Sequence, residues 1–373
     1  MTKHWSIKLG RFAGIDVFIH WTFWIIIGWI FLLHFNAGNG IEAGIRGILF
    51  ILALFLCVVL HEFGHALTAR RYGITTRDIT LYPIGGVASL ESMPDKPAQE
   101  LAVAVAGPLV NAGIAVIIAV YLGISGQFPG LRASALENGS LEIPFVFGLF
   151  VANTVLFVFN LIPAFPMDGG RILRALLSFR LDKVLATQIA AGIGQSLAIL
   201  FVFLGFFFNF WLVFIGLFVY LGAAREAAFE KTKALLAGLR VKDALMHKFT
   251  VLNPDDTLGR AVDSLLDSQE THFLITEENE PVGVLSRNEI IKGLSERGRD
   301  APVSLFMQRD FVIVGMDMKL QELLQKIAPG EQDLAVVIEG GSLVGLIDRQ
   351  NVEERLLINE ALKQRRGDPA PHR

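Results

Sequence analysis

Gly47-Ile-Leu-Phe-Ile-Leu-Ala-Leu-Phe-Leu-Cys57-Val-Val-Leu-His61-Glu62-Phe63-Gly64-His65 is apolar and uncharged as far as Leu60, then turns into two histidines and a glutamate. An apolar helix of ~20 residues crosses the hydrocarbon core of a bilayer, and residues 46–70 read as such a span. Residues four apart share a helix face, so the imidazoles of this H-E-x-x-H stretch can reach one metal ion. Ionisable groups at membrane depth are costly and are retained for function. Two histidines and one oxygen ligand suit zinc and leave a fourth position for water. Glu62 stands where it can take a proton from that water and later pass it to a leaving amine. The reading is one zinc ion per chain, held by His61 and His65, with Glu62 catalytic.

The rest of the chain supports a membrane setting. Of 373 residues, 53% are hydrophobic and 18% charged, against about a quarter charged in a soluble domain. Asp, Glu, Lys and Arg are absent from Leu101–Leu131, Ile143–Met167 and Val184–Ala224. Further spans are expected over 17–36, 100–123 and 143–166, and Val184–Ala224 is long enough for two, joined by a turn near Asn209. That makes six. Lys and Arg cluster at the N-terminus (Lys3, Lys8, Arg11), after the second span (Arg70, Arg71, Arg77, Lys96), after the fourth (Arg171, Arg174, Arg180, Lys183) and after the sixth (Arg225, Lys231, Lys233). The opposite loops hold only Arg46 and Arg132. Both termini are therefore expected in the cytoplasm of a bacterial or archaeal cell. The net charge of −3 gives no reason to expect nucleic acid as a partner, and the single cysteine, Cys57, excludes an intrachain disulfide.

Past Arg225 the composition becomes that of a water-soluble unit. Ala227–Leu239 reads as a helix leaving the membrane. Gly283-Val-Leu-Ser-Arg-Asn-Glu-Ile then resembles Gly345-Leu-Ile-Asp-Arg-Gln-Asn-Val, 62 residues later, each block patterned as strand, helix, strand, strand, helix. The expected organisation is a membrane domain over 1–224, a linker helix over 225–239, repeats over 240–298 and 299–362, and a disordered tail over 363–373. The fold class is a polytopic α-helical membrane protein of six transmembrane helices with a re-entrant β-hairpin, followed by a cytoplasmic α+β repeat pair.

The third zinc ligand is expected from Asn160-Leu-Ile-Pro-Ala-Phe-Pro-Met-Asp168-Gly-Gly-Arg171. Pro163 and Pro166 break the fourth span, Gly169-Gly170 allow a sharp bend, and the topology brings Asp168 to the cytoplasmic side where the second span also ends. Pro83-Ile-Gly85-Gly86-Val87-Ala-Ser-Leu reads as a hairpin beside the active site. A helical substrate cannot be cut while its carbonyls are held in helical bonds, and adding it to this edge as a strand would release them.

H-E-F-G-H, the Asn160…Pro163…Pro166…Asp168-Gly-Gly pattern and Gly107-Pro-Leu-Val-Asn111 together resemble the site-two protease family of intramembrane zinc metalloproteases, over 1–224. That resemblance implies His61, His65 and Asp168 as zinc ligands and Glu62 as the catalytic glutamate. It implies Asn160 and Asn111 as polar positions lining the active site, Asn160 as a donor to substrate or oxyanion and Asn111 as a substrate contact. Helix–helix hydrogen bonding is the other reading of both. The hairpin at Gly85, Gly86 and Val87 resembles the family's substrate-binding re-entrant loop.

The repeats resemble a tandem pair of CBS domains, modules that often bind adenine nucleotides. The first carries Ser286 and Glu289 at the positions the family uses for ribose. The second, with Asp348 and Asn351, departs from the pattern. A module for homodimerisation or substrate gating, without ligand, is the other reading. The expected function is cleavage of peptide bonds in the transmembrane segment of a single-pass membrane protein within the lipid bilayer. A transporter or channel gated by the CBS-like pair is the alternative.

Overall fold

The computed structural model describes residues 5–35, 40–83, 85–90, 93–126, 144–268, 270–278, 280–327 and 334–367. It forms two compact units, residues 1–230 and 231–373.

The first unit opens with strand, not helix. β1 (Ser6–Phe12) and β2 (Ile15–His20) make an antiparallel hairpin about Ala13 and Gly14, both at positive φ. The span expected over 17–36 is thus corrected: its first residues are strand, and the helix that follows, α1 (Phe23–His34), has 12 residues. Ile15, Val17 and Ile19 alternate with Asp16, Phe18 and His20, and the β-branched set is buried while its neighbours are not. That period of two is the signature of a half-buried strand.

α2 (Gly40–Arg71) carries the H-E-x-x-H stretch near its C-terminal end. β3 (Thr76–Tyr82) and β4 (Gly85–Leu90) follow as an antiparallel hairpin, and β3 pairs in parallel with β2. The sheet order is β1-β2-β3-β4, so β4 is an edge. α3 (Pro97–Ile124) and α4 (Phe145–Asn160) come next. α4 stops at Asn160 because Pro163 and Pro166 follow, and α5 (Asp168–Leu177) starts directly at Asp168. The long apolar run divides around Asn209 into α6 (Lys183–Phe207) and α7 (Trp211–Leu236). The Asn209 side chain accepts from the Trp211 amide and so starts α7.

On length and composition, four helices can cross a membrane: α2, α3, α6 and α7. α1 and α4 are apolar but, at 12 and 16 residues and ~1.5 Å per residue, fall short of a ~30 Å core. α2 and α3 approach closely through small residues: a Cβ at Gly64 would lie 2.8 Å from the Ala106 carbonyl oxygen and 2.9 Å from Val110 Cγ2. α7 is continuous with the stretch expected as a separate linker helix.

The second unit contains the repeat pattern twice: β5 (Val251–Leu252), α8 (Leu258–Ser268), β6 (His272–Glu277), β7 (Glu280–Ser286) and α9 (Arg287–Arg297), then β8 (Val312–Val314), α10 (Leu320–Lys326), β9 (Leu334–Glu339), β10 (Ser342–Asp348) and α11 (Arg349–Gly367). Each repeat builds a three-stranded sheet with its central strand parallel to one neighbour and antiparallel to the other. The lead-in segments are exchanged: Met246 bridges to Leu346 in the second repeat, and Gln308 to Val284 in the first. α11 continues to Gly367, past the start of the expected tail. Arg132 lies outside the described residues.

Replacing Gly64 with valine is expected to overpack the α2–α3 crossing by about 1–3 kcal/mol, because one close neighbour is backbone and cannot yield. Thermal unfolding in detergent should show a lower midpoint for Gly64→Val. Gly113→Ala on α3, where a Cβ meets nothing within 4 Å, should not lower it.

Candidate metal centre

Two imidazoles and one carboxylate meet where α2, α3 and α5 cross. His61 and His65, one turn apart on α2, place their Nε2 atoms 3.0 Å from each other, and Asp168 Oδ2 lies 3.2 Å from both. All three side chains are buried, and this is the metal-competent cluster found among the described residues.

The outer nitrogens decide the protonation of the inner ones. His61 Nδ1 donates to Asn111 Oδ1 at 2.5 Å, and His65 Nδ1 donates to the Val103 carbonyl at 2.7 Å. Each neutral ring therefore presents an unprotonated Nε2 to the centre. Two such lone pairs and a carboxylate facing one another make a set that a cation satisfies. In a tetrahedral zinc site with bonds of ~2.0–2.1 Å the ligand atoms stand roughly 3.3 Å apart, and the observed triangle is within 0.3 Å of that on every edge. A further observation fits: a Cβ at Gly107 would fall 2.1 Å from His65 Nε2 and 2.7 Å from His61 Nε2. The missing side chain leaves open the volume that both nitrogens face.

α3 is the template for this geometry. Glu100, Val103, Gly107 and Asn111 follow at intervals of three and four and form one stripe. Val103 orients His65, Gly107 makes room, and Asn111 orients His61. Asn111, expected to touch substrate, is instead fully buried behind His61. Its Nδ2 donates to Asn153 Oδ1 of α4 at 3.0 Å, and Asn153 Nδ2 donates to the Leu149 carbonyl at 2.8 Å. Outer partners of this kind hold a ligand's tautomer and orientation. Asn153 was not singled out from the sequence; an Asn in mid-helix of an apolar span was the signal.

Asp168 reaches the histidines because α5 begins at it, after a tight segment packed on the following glycines. A Cβ at Gly169 would lie 2.1 Å from the Ile162 carbonyl oxygen, and one at Gly170 2.6 Å from the Phe165 nitrogen. Arg171, one turn on, sets Nη1 3.9 Å from the other oxygen, Asp168 Oδ1.

Glu62 sits between the histidines in sequence and against β4 in space: a Cβ at Gly86 would meet Glu62 Cγ at 2.9 Å and Val58 Cγ1 at 3.1 Å. Gly85 has φ +139°, a conformation other residues rarely adopt. Val87 is about half exposed on the edge strand. Asn160 is half-buried at the end of α4, two helical turns past Asn153 and on the same face.

In the second unit, Ser286 and Glu289 form a capping box. Ser286 Oγ accepts from the Asn288 amide, and the Glu289 carboxylate accepts from the Ser286 amide and hydroxyl and from Gln308 Nε2. Asp348 and Asn351 make the same reciprocal pair at the start of α11. In both repeats these residues close a helix N-terminus.

A family model for peptidase family M50 matches residues 49–131 and 123–205, and one for the CBS domain matches 241–296 and 303–357. The chain is 34% identical over 358 residues to zinc metalloprotease MJ0392 of Methanocaldococcus jannaschii, covering 96% of this chain and 98% of that protein. It is 29% identical over 385 residues to the putative zinc metalloprotease Rip3 of Mycobacterium tuberculosis, covering 93% and 92%. Among solved structures, the site-2 protease from Methanocaldococcus jannaschii matches at 39% identity and a TM-score of 0.43, covering 60% of this chain and 95% of that one.

A methyl group at position 107 should compete with the ion itself. Gly107→Ala is expected to weaken zinc retention by at least tenfold, near the range seen when a ligand's outer partner is lost. Metal content after dialysis against a graded chelator series measures this, with Gly113→Ala as the helix-matched reference.

Proposed function

The chain belongs to peptidase family M50, and on that footing we propose that His61, His65 and Asp168 hold its zinc ion while Glu62 moves the proton. It is an intramembrane zinc metalloprotease with a tandem CBS pair, acting on membrane-protein substrates in lipid. The relatives are metalloproteases by name, and the transporter reading gains no observation.

The carrying observation is the convergence of three ligand atoms from two helices, with Glu62 beside them and the β4 edge laid across Glu62. Zinc, when bound, supplies a Lewis acid for the scissile carbonyl and lowers the pKa of water toward ~7. The histidines contribute neutral donor nitrogens fixed by Asn111 and Val103. Asp168 contributes the negative charge, its second oxygen near Arg171. Glu62 accepts a proton from the attacking water and returns it to the leaving amine. Asn160, on the face of α4 that Asn153 turns toward Asn111, would donate to the substrate carbonyl.

Gly85, Gly86 and Val87 supply the substrate track. β4 ends the sheet, so its outer edge can pair with an unwound stretch of a single-pass transmembrane segment, presenting extended backbone next to Glu62. This reading requires the β3–β4 hairpin to re-enter the bilayer with its edge covered by protein or substrate. The Lys and Arg bias supports both termini in the cytoplasm, with α1 and α4 completing six apolar helices, in the cell membrane of a bacterium or archaeon. The domain division proposed is 1–224, 225–239, 240–298, 299–362 and the tail. The CBS pair is read as a regulatory module acting through an adenine nucleotide or by homodimerisation. A nucleotide at the first repeat has to draw Glu289 away from Ser286 and Gln308.

Glu62→Gln keeps the shape and loses the base. It is expected to retain zinc at the unaltered level while cleavage of a membrane substrate in proteoliposomes falls by at least a hundredfold. Undiminished cleavage by this variant refutes the assignment of Glu62. For the CBS pair, calorimetric titration of the full-length protein with ATP and AMP decides between ligand and no ligand. If a nucleotide binds there, Ser286→Ala should weaken it.

A further inference from the structure

Arg174 is the largest of the fully buried side chains, and a charged one. It lies on α5, the helix that begins at Asp168, and reaches three other elements. Its Nε donates to Glu100 Oε1 of α3 at 2.7 Å and its Nη1 to Glu226 Oε1 of α7 at 2.6 Å, while Nη2 stands 2.6 Å from the same Glu100 oxygen as an ion-pair contact without hydrogen-bond geometry. The guanidinium lies 5.2 Å from the ring centre of Phe165, inside the segment joining Asn160 to Asp168. Glu230 of α7 stands 3.8 Å from Nη1 and 3.7 Å from Lys183 Nζ. Glu100 is itself buried.

A buried ion pair of this kind is a poor device for stability alone, because desolvating the charges offsets their attraction, but it fixes orientation. An arginine fork does so more tightly than a point charge, since its donors are planar and rigid. The place where this fork is anchored is informative. Glu100 opens the same stripe of α3 on which Val103 orients His65, Gly107 admits the metal and Asn111 orients His61. The histidines and the Asp168 helix are thus referred to one face of one helix. Asp168 shares no secondary-structure element with the histidines, so its reach is set by how α5 lies on α3.

We propose that Arg174 is the positioning residue of the third metal ligand: its fork, shared between Glu100, Glu226 and the Phe165 ring, locks α5 onto the metal-facing stripe of α3 and so sets the distance from Asp168 to the two imidazoles. The proposal rests on Asp168 being a zinc ligand. It makes the geometry of the metal site depend on a charge cluster that touches neither metal nor substrate. Lysine at this position keeps the charge and loses the fork; Glu100→Gln keeps the shape and loses the anchor.

The test uses the full-length protein in detergent with cobalt in place of zinc, because the visible bands of cobalt report ligand number and geometry, which a merely structural role would not move. Arg174→Lys and Glu100→Gln are each expected to stay monodisperse, to change the cobalt band intensity, and to weaken zinc retention by about tenfold. Asp168→Asn, the direct test of the ligand, should weaken it far more. Folded Arg174→Lys and Glu100→Gln with unaltered cobalt spectra and zinc retention within twofold overturn the proposal. If both unfold while Asp168→Asn folds, the proposal is also overturned, since the cluster then holds the unit together rather than placing one ligand. Full zinc retention by Asp168→Asn overturns the ligand assignment itself, whatever Arg174 does.

Discussion

Two imidazole lone pairs and a carboxylate oxygen held within 3.2 Å of one another repel unless a cation joins them, and in a poorly solvated interior the repulsion is hardly screened. Everything around the centre keeps these atoms from turning away. Both Nδ1 protons are spent on fixed oxygens, one of an amide and one of the backbone. The amide is held in turn by Asn153, from a third helix. Asp168 cannot withdraw because the chain behind it is packed against Gly169 and Gly170 at distances that admit no side chain. The fold thus holds three candidate ligand atoms in place in advance, and preorganisation of this kind is how protein architecture becomes metal affinity.

α3 has the central part without supplying a ligand. One stripe from Glu100 to Asn111 provides an anchor, an acceptor, a void and an orienting amide in successive turns. A glycine matters here for what it omits. The void at Gly107 opens toward the Nε2 atoms of His61 and His65, while that at Gly64 lets the helix that bears them approach the stripe. Close helix approach through small residues is the general solution for packing in lipid, where no hydrophobic gain distinguishes one apolar neighbour from another.

Legibility from the sequence followed the range of the interaction. His61 and His65 were readable because helical periodicity alone puts them on one face, and Asp168 because prolines and glycines announce a break at the end of an apolar run. Asn111 was found but misplaced: its distance along the chain says nothing about whether it faces substrate or the back of a histidine, which only packing settles. Arg174 was counted among the loop charges that orient the chain, since a charge sum cannot distinguish a solvated arginine from one enclosed by Glu100 and Glu226. In the first apolar run, length argued for a span. Its first residues, Val17–His20, belong instead to β2, which pairs with β3, and the helix begins only at Phe23.

The second unit shows how one local pattern can serve two roles. Ser286 with Glu289, and Asp348 with Asn351, stand at equivalent points of the two repeats, where a strand ends and a helix starts. A helix needs its first N–H groups satisfied whether or not a ligand is near, so a polar pair three residues apart is expected here on capping grounds alone. The second repeat keeps this pairing with other residue types. Capping tolerates such exchange, because Asp and Asn satisfy the same amides as Ser and Glu. Recognition of a ribose depends on particular donors and acceptors and tolerates it less. The feature common to both repeats is thus the capped helix, and any ligand specificity has to come from residues in which they differ.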